Sequence, residues 1–179
     1  RAAVHAAPSQ TQSINLHPGW NAIWLEVTPT NSTVSEVFNG VPIESVWTFA
    51  PRLTTVDFIQ NPNEPVFNRD QWLLHVATNR VESFQNSLFA LRGQRAYLVQ
   101  LAGSAPATLR VTGRPALERA QWATDAYTLR GLAVDPANPP SFSAYFQNSA
   151  THYDRALRRL QAIYRLGADN SLQYRLKYA

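Results

Sequence analysis

Apolar and polar positions alternate with a period of two in several short stretches of this chain. Proline, glycine or asparagine interrupts each stretch before it grows long. Residues 14–16 lead into His17-Pro18-Gly19, a turn, and 20–27 alternate like a half-buried strand that Pro29 stops. Ser32 or Thr33 then opens a short helix. Glu36 stands three residues after Thr33 in capping-box position, Val34, Val37 and Phe38 face inward, and Asn39-Gly40 ends the helix. Further strands are predicted at 43–49, 53–59 and 71–77, with a loop at 61–65. Residues 88–91 lead into Gly93, and 96–101 with 108–112 read as a hairpin across 102–106.

The order then recurs. The block from Trp20 through Val27 to Pro29 is matched by Tyr127 through Val134 to Pro136, Phe38 by Phe146, and Trp47 by Tyr164, with an insertion before the last pair. The second copy predicts a strand at 127–134, a turn at 135–140 and a short helix at 141–146 capped by Ser141. Between 153 and 164 the apolar residues fall at helical spacing, with Thr151 and Asp154 as a start signal, whereas the repeat demands a strand. A helix at about 152–159 running into a strand near 161–166 satisfies both. Residues 172–178 alternate again. The fold class is therefore mainly β: two similar β-rich halves, sandwich- or barrel-like, with short helices. Residues 1–13 read as a linker or processed N-terminus, 14–115 as the first repeat and 116–179 as the second. The second copy shows no counterpart of 88–101, which leaves an unfinished C-terminal edge open to self-association or strand exchange with another chain.

Composition narrows the class. A chain of 179 residues, 45% hydrophobic and 11% aromatic, can bury a sizeable core and is not a disordered one. No apolar run is long enough to insert in a membrane. The net charge of +4 rests on fifteen arginines and one lysine, a bias that a GC-rich genome produces. The arginines are scattered except for Arg155, Arg158 and Arg159. Nucleic acid is set aside as a partner, since its site needs a broader basic stripe with interleaved aromatics. Cysteine is absent, so the fold is free of disulfides.

Chemistry-bearing patterns are few. His5, His17, His75 and His152 lie far apart, with no partner at metal-ligand spacing, and no nucleophile elbow or phosphate-cradling loop occurs. Glu26 and Glu44, with Asp57, are a conceivable carboxylate group if neighbouring strands bring them together. Asn31-Ser32-Thr33 matches a glycosylation sequon and reads as a helix cap. The expectation is a non-catalytic module without metal or cofactor.

The tryptophans are the candidate ligand-binding residues. Trp20 and Trp47 match aromatics in the second copy, which suits a core or seam role, while Trp24 matches Gly131. On an alternating strand Trp20 and Trp24 share one face and Ile23 and Leu25 the other. If the Ile23/Leu25 face is the core, Trp20 and Trp24 stand side by side at the surface as a platform for sugar rings. Trp72, beside the polar loop 61–70, is a further candidate.

The run from Ile14 through Gly19-Trp20-Asn21 to Pro29 resembles a Gly-Trp-Asn-signature module of large secreted or surface proteins of bacteria. Further landmarks similar to that family are 43–47, Arg95-Ala96-Tyr97, Val111-Thr112-Gly113 and 129–136. The resemblance implies export to the cell surface or beyond, a place in a multidomain protein, and a further strand after residue 179. It carries no catalytic residue onto this chain. The leading functional expectation is recognition of a polysaccharide or cell-surface glycan through Trp20, Trp24 and Trp72. The alternative is a structural subunit of a surface protein or filament, completed by strand pairing at its C-terminal edge.

Overall fold

The computed structural model describes residues 8–50, 71–77, 79–116, 129–132, 134 and 137–149. Beyond these it describes strand backbone alone at 153–154, 159–160, 163–166 and 172–175. The strand expected at 53–59, the loop at 61–65, Trp122, His5 and His152 lie outside the described residues. The chain divides into two compact units, Arg1–Gly131 and Leu132–Ala179.

In the first unit the alternating stretches form two antiparallel sheets. Strands β1 (Gln10–Leu16), β7 (Ala107–Pro115) and β3 (Val27–Pro29) make one, in the order β1-β7-β3. Strands β2 (Gly19–Leu25), β6 (Arg95–Leu101), β4 (Ile43–Ala50) and β5 (Gln71–Val76) make the other, in the order β2-β6-β4-β5. Inward side chains of both sheets meet in one core. Leu16, Val27, Leu109 and Val111 from the first pack with Ile23, Leu25, Val46, Tyr97, Val99 and Leu101 from the second, and Val34, Phe38, Leu88 and Leu91 complete it. The arrangement is sandwich-like.

The Gly-Trp-Asn run shows how the chain changes sheets. Gly19 adopts φ +83°, which a side chain would penalise. The buried Asn21 then locks the turn, because its Oδ1 accepts from the His17 N–H at 2.8 Å and its Nδ2 donates to the His17 carbonyl at 2.8 Å. At the other end of β2, Gln12 acts as a splint. Its Nε2 donates to the Trp24 carbonyl at 2.8 Å and its Oε1 accepts from the Glu26 N–H at 2.9 Å, where the chain leaves one sheet for the other. Strand β1 thus begins at Gln10, inside the stretch that reads as linker, because its polar residues are ladder partners of β7.

Several expectations are corrected. Residues 96–101 and 108–112 do not form a hairpin. Both edges of β6 are occupied by β2 and β4 and both edges of β7 by β1 and β3, so 102–106 is a crossover between sheets. The short helix α1 (Val34–Val37) has Thr33 at its N-cap, but the threonine side chain makes no cap bond. The Thr33 N–H instead donates to Asn31 Oδ1 at 3.2 Å and the Val34 N–H to the Phe89 carbonyl at 3.2 Å, so a local side-chain turn and one tertiary bond replace the capping box. Residues 129–132 and 134 adopt no strand.

In the second unit, α2 (Phe142–Phe146) is capped as expected, the Ala144 N–H donating to Ser141 Oγ at 3.2 Å. Phe146 is buried, with the Tyr145 ring edge-on at 4.9 Å. The helix expected at 152–159 is absent over its described residues. Tyr153–Asp154 (β8) pairs antiparallel with Arg159–Leu160 (β9), and Ile163–Leu166 (β10) pairs with Leu172–Arg175 (β11). Ladder hydrogen bonds there override a helical spacing of apolar residues.

Tyr97 anchors the middle of the core. Its ring is buried, and its hydroxyl accepts from the Arg92 N–H at 2.8 Å and donates to the Arg92 carbonyl at 3.2 Å, pinning the bend that precedes β6. Burial raises its pKa above 10, opposed by the Arg92 bond and by the charges of Arg95 and Arg92. Tyr97→Phe is expected to cost about 1–2 kcal/mol, because both Arg92 backbone groups lose their partner. Urea denaturation reads the loss directly, and an unchanged midpoint would contradict this account of the bend.

Candidate functional site

The outer face of the four-stranded sheet collects most of the tryptophan in the protein. Ile23 and Leu25 are buried in the core, so alternation places Trp20, Ala22 and Trp24 on the opposite side of β2. Cross-strand partners share a face, which carries the pattern across the sheet. Trp20 is opposite Gln100, Ala22 opposite Leu98, and Trp24 opposite Ala96. Ser45 is opposite Gln100 and Val76, Trp47 opposite Leu98 and Leu74, and Phe49 opposite Trp72. Trp20, Trp24, Trp47, Phe49 and Trp72 therefore lie on one surface, while the buried core contains no tryptophan among the described residues. At about 4.8 Å per strand, the β2 and β5 ends of this surface are about 14 Å apart.

The members differ in availability. Trp72 is the most open, with 47% of its surface exposed, and its ring lies 5.3 Å from that of Phe49 at 60°. Trp20 and Trp47 are half-buried. The Trp47 Nε1 donates to Ser45 Oγ at 3.0 Å, and that hydroxyl donates to Gln100 Oε1 at 3.1 Å. This relay fixes the carbonyl end of the Gln100 side-chain amide. Trp24 is engaged differently: the backbone of Gly131 lies against its indole, and the Arg130 guanidinium sits 5.3 Å from the ring centroid. Its Nε1 is buried without an acceptor. Of the residues singled out in the sequence, Trp20, Trp24 and Trp72 thus share a sheet face, with Trp72 and Trp20 presenting accessible ring and Trp24 packing the 129–132 segment. Trp47, whose match to Tyr164 suggests a core or seam role, joins this face together with Phe49, and the register of β4 against β6 and β5 places them there.

The carboxylates do not assemble. Glu26, in the bend after β2, is exposed, and Glu44 sits on β4, two strands from β2, 3.5 Å from Arg80. Asp57 lies outside the described residues. No group of three or more histidine, aspartate or glutamate side chains able to hold a metal occurs among the described residues. No helix among them is long and apolar enough to cross a membrane. No protein-family model, curated protein or solved structure matches the chain.

The outer edge of β5 is occupied at Leu74 and Val76. The side-chain amide of Asn86 accepts from the Val76 N–H at 2.7 Å and donates to the Val76 carbonyl at 3.0 Å. Ser87 Oγ accepts from the Leu74 N–H at 3.0 Å, and the Ser87 and Leu88 N–H groups donate to the Leu74 carbonyl. Asparagine and serine side chains here stand in for a neighbouring strand, which fixes β5 and blocks strand pairing at those two residues.

On the inner side of β5, His75 is buried with its Nδ1 unpartnered. Burial lowers its pKa from 6.5, with a smaller opposing effect from the Leu88 carbonyl. The folded state therefore holds a neutral imidazole whose pKa lies below the unfolded value. Its contribution to stability is whole above pH 6.5 and is lost as pH falls from there toward the lowered pKa, where the unfolded chain binds the proton more readily. Stability measured by urea denaturation is expected to decline over that interval in the wild type and to decline less in His75→Leu. Parallel profiles for the two proteins would rule out His75 as a source of the decline.

Proposed function

We propose that the protein is a non-catalytic glycan-recognition module of an exported bacterial protein, and that the outer face of the four-stranded sheet is its binding surface. The observation that carries this reading is the placement of Trp20, Trp47 and Trp72 on the outer face of one sheet, away from the core, with Trp24 on the same face packing the 129–132 segment. A buried tryptophan stabilises a fold by filling the interior. Here leucine, valine, isoleucine, phenylalanine and tyrosine do that work, and the tryptophans are held outside it.

The chemistry suits a neutral polysaccharide. A sugar ring offers an apolar C–H face, which stacks on an indole, and a hydroxyl rim, which needs donors and acceptors close by. Trp72 with Phe49 supplies the stacking surface at one side of the sheet and Trp20 at the other. The Gln100 amide, held by Ser45 and Trp47, supplies the polar group between them. A sheet face also preorganises these groups, so little side-chain freedom is lost on binding.

Affinity electrophoresis against a panel of neutral glucans, xylans and mannans tests the reading. Retardation by one class of polymer, weakened in Trp72→Ala and Trp20→Ala, is the expected result. Migration unaffected by every polymer would overturn it.

A further inference from the structure

The opposite face of the same unit has a wholly different chemistry. On the outside of the three-stranded sheet, β1 presents Thr11, Ser13 and Asn15, β7 presents Thr108, Arg110, Thr112 and Arg114, and β3 presents Thr28; all eight are exposed. The intervening Leu16, Val27, Leu109 and Val111 turn into the core. The face carries no apolar side chain. It is ordered by its own hydrogen bonds: Thr11 Oγ1 lies 2.7 Å from Thr112 Oγ1, and Thr108 Oγ1 donates to Asn15 Oδ1 at 3.1 Å.

Arg110 and Arg114 stand four residues apart on the central strand, about 13 Å along it. Among the described residues neither forms an ion pair. The nearest acid along the sheet is Glu26, two residues before Thr28, and it makes no ion pair with Arg114. Two guanidinium groups thus sit unneutralised on a flat bed of hydroxyls in a protein of net charge +4.

We infer that this face is a second binding surface, taking a linear acidic polysaccharide that lies along β7, its carboxylates on Arg110 and Arg114 and its hydroxyls on the threonine and serine rows. Charge complementarity selects the anion. The planar guanidinium fork matches a carboxylate through two parallel N–H bonds. The spacing lets the arginines hold separate carboxylates of one chain, and the hydroxyl rows between them have the donors and acceptors that sugar hydroxyls require. The absence of aromatic side chains on this face disfavours nucleic-acid bases, which need stacking partners. The inference stands apart from the aromatic surface on the other sheet and needs no ligand there.

Affinity electrophoresis in polygalacturonate at low ionic strength tests it. The wild type is expected to be retarded, and the double variant Arg110→Ala/Arg114→Ala to bind at least tenfold more weakly. A control variant, Arg80→Ala/Arg92→Ala, removes equal charge elsewhere and is expected to bind within twofold of the wild type, as is Trp72→Ala. Added salt is expected to release the polymer, since the arginines are exposed and screened. Both double variants change only exposed side chains, and thermal melts confirm folding. Three results would each overturn the inference: no retardation of the wild type, equal weakening in the two double variants, or equal retention by double-stranded DNA. Loss of neutral-glycan binding in Trp72→Ala with polygalacturonate binding intact separates the two surfaces.

Discussion

Gly113→Ala is expected to unfold the first unit at moderate temperature. Gly113 faces inward on β7, opposite Pro29 of β3 and Gln10 of β1. A Cβ placed there meets the carbonyl oxygen and carbon of Thr28 and the Cα of Pro29, all backbone atoms. No side-chain rotation relieves that overlap, so β3 must move away from β7 and take with it the Thr30 N–H bond to the Thr112 carbonyl. Overpacking against a fixed backbone costs about 3 kcal/mol or more. In a unit of this size that lowers the melting temperature by roughly 10 °C. Differential scanning calorimetry of the variant checks it, and a shift under about 2 °C would mean that β3 is free to yield. The glycine at 113 is thus a contact requirement of the sheet.

Trp72→Ala is expected to weaken glycan binding at least tenfold while leaving the fold intact. Its ring is the most exposed of the tryptophans and rests against Phe49 alone among the described aromatic pairs, so little core packing is lost. A stacking ring that anchors a ligand contributes about 2 kcal/mol, which exceeds a tenfold change in affinity. Phe49→Ala is expected to act in the same direction, because it removes the support that fixes the indole. Trp24→Ala should behave oppositely, with binding largely retained and stability reduced, since Trp24 packs against Gly131 and Arg130. Isothermal titration and thermal melts on the three variants separate these outcomes. A Trp72→Ala protein that binds like the wild type would remove Trp72 from the surface.

Much of the first unit was legible in the sequence for a simple reason. The two-residue period at 20–25 names a face, and the turn residues around it name the strand ends, so the common face of Trp20 and Trp24 followed from spacing alone. The Gly19 turn and the Ser141 cap were equally local. What the sequence pattern missed was non-local. A strand that stays in its sheet and one that crosses to the other sheet have the same alternation, so 96–112 resembled a hairpin. Thr33 has the right neighbours for a capping box, yet the carbonyl of Phe89, far along the chain, takes the helix N–H. Polar Gln10–Ser13 looked like a linker because their partners are on β7. Trp47 and Phe49 joined the aromatic surface only through the registers of β4 against β6 and β5. The segment 153–160 had a helical period that pairing overrode.

The most direct test of the account follows the indole N–H signals of the 15N-labelled protein as soluble oligosaccharides of neutral glucans, xylans and mannans are added. The account predicts that one class shifts the signals of Trp72, Trp20 and Trp47 and the side-chain amide of Gln100, in a saturable manner, while the amides of the β1-β7-β3 sheet stay in place. Saturable shifts confined to other parts of the molecule, or none with any oligosaccharide, would contradict it.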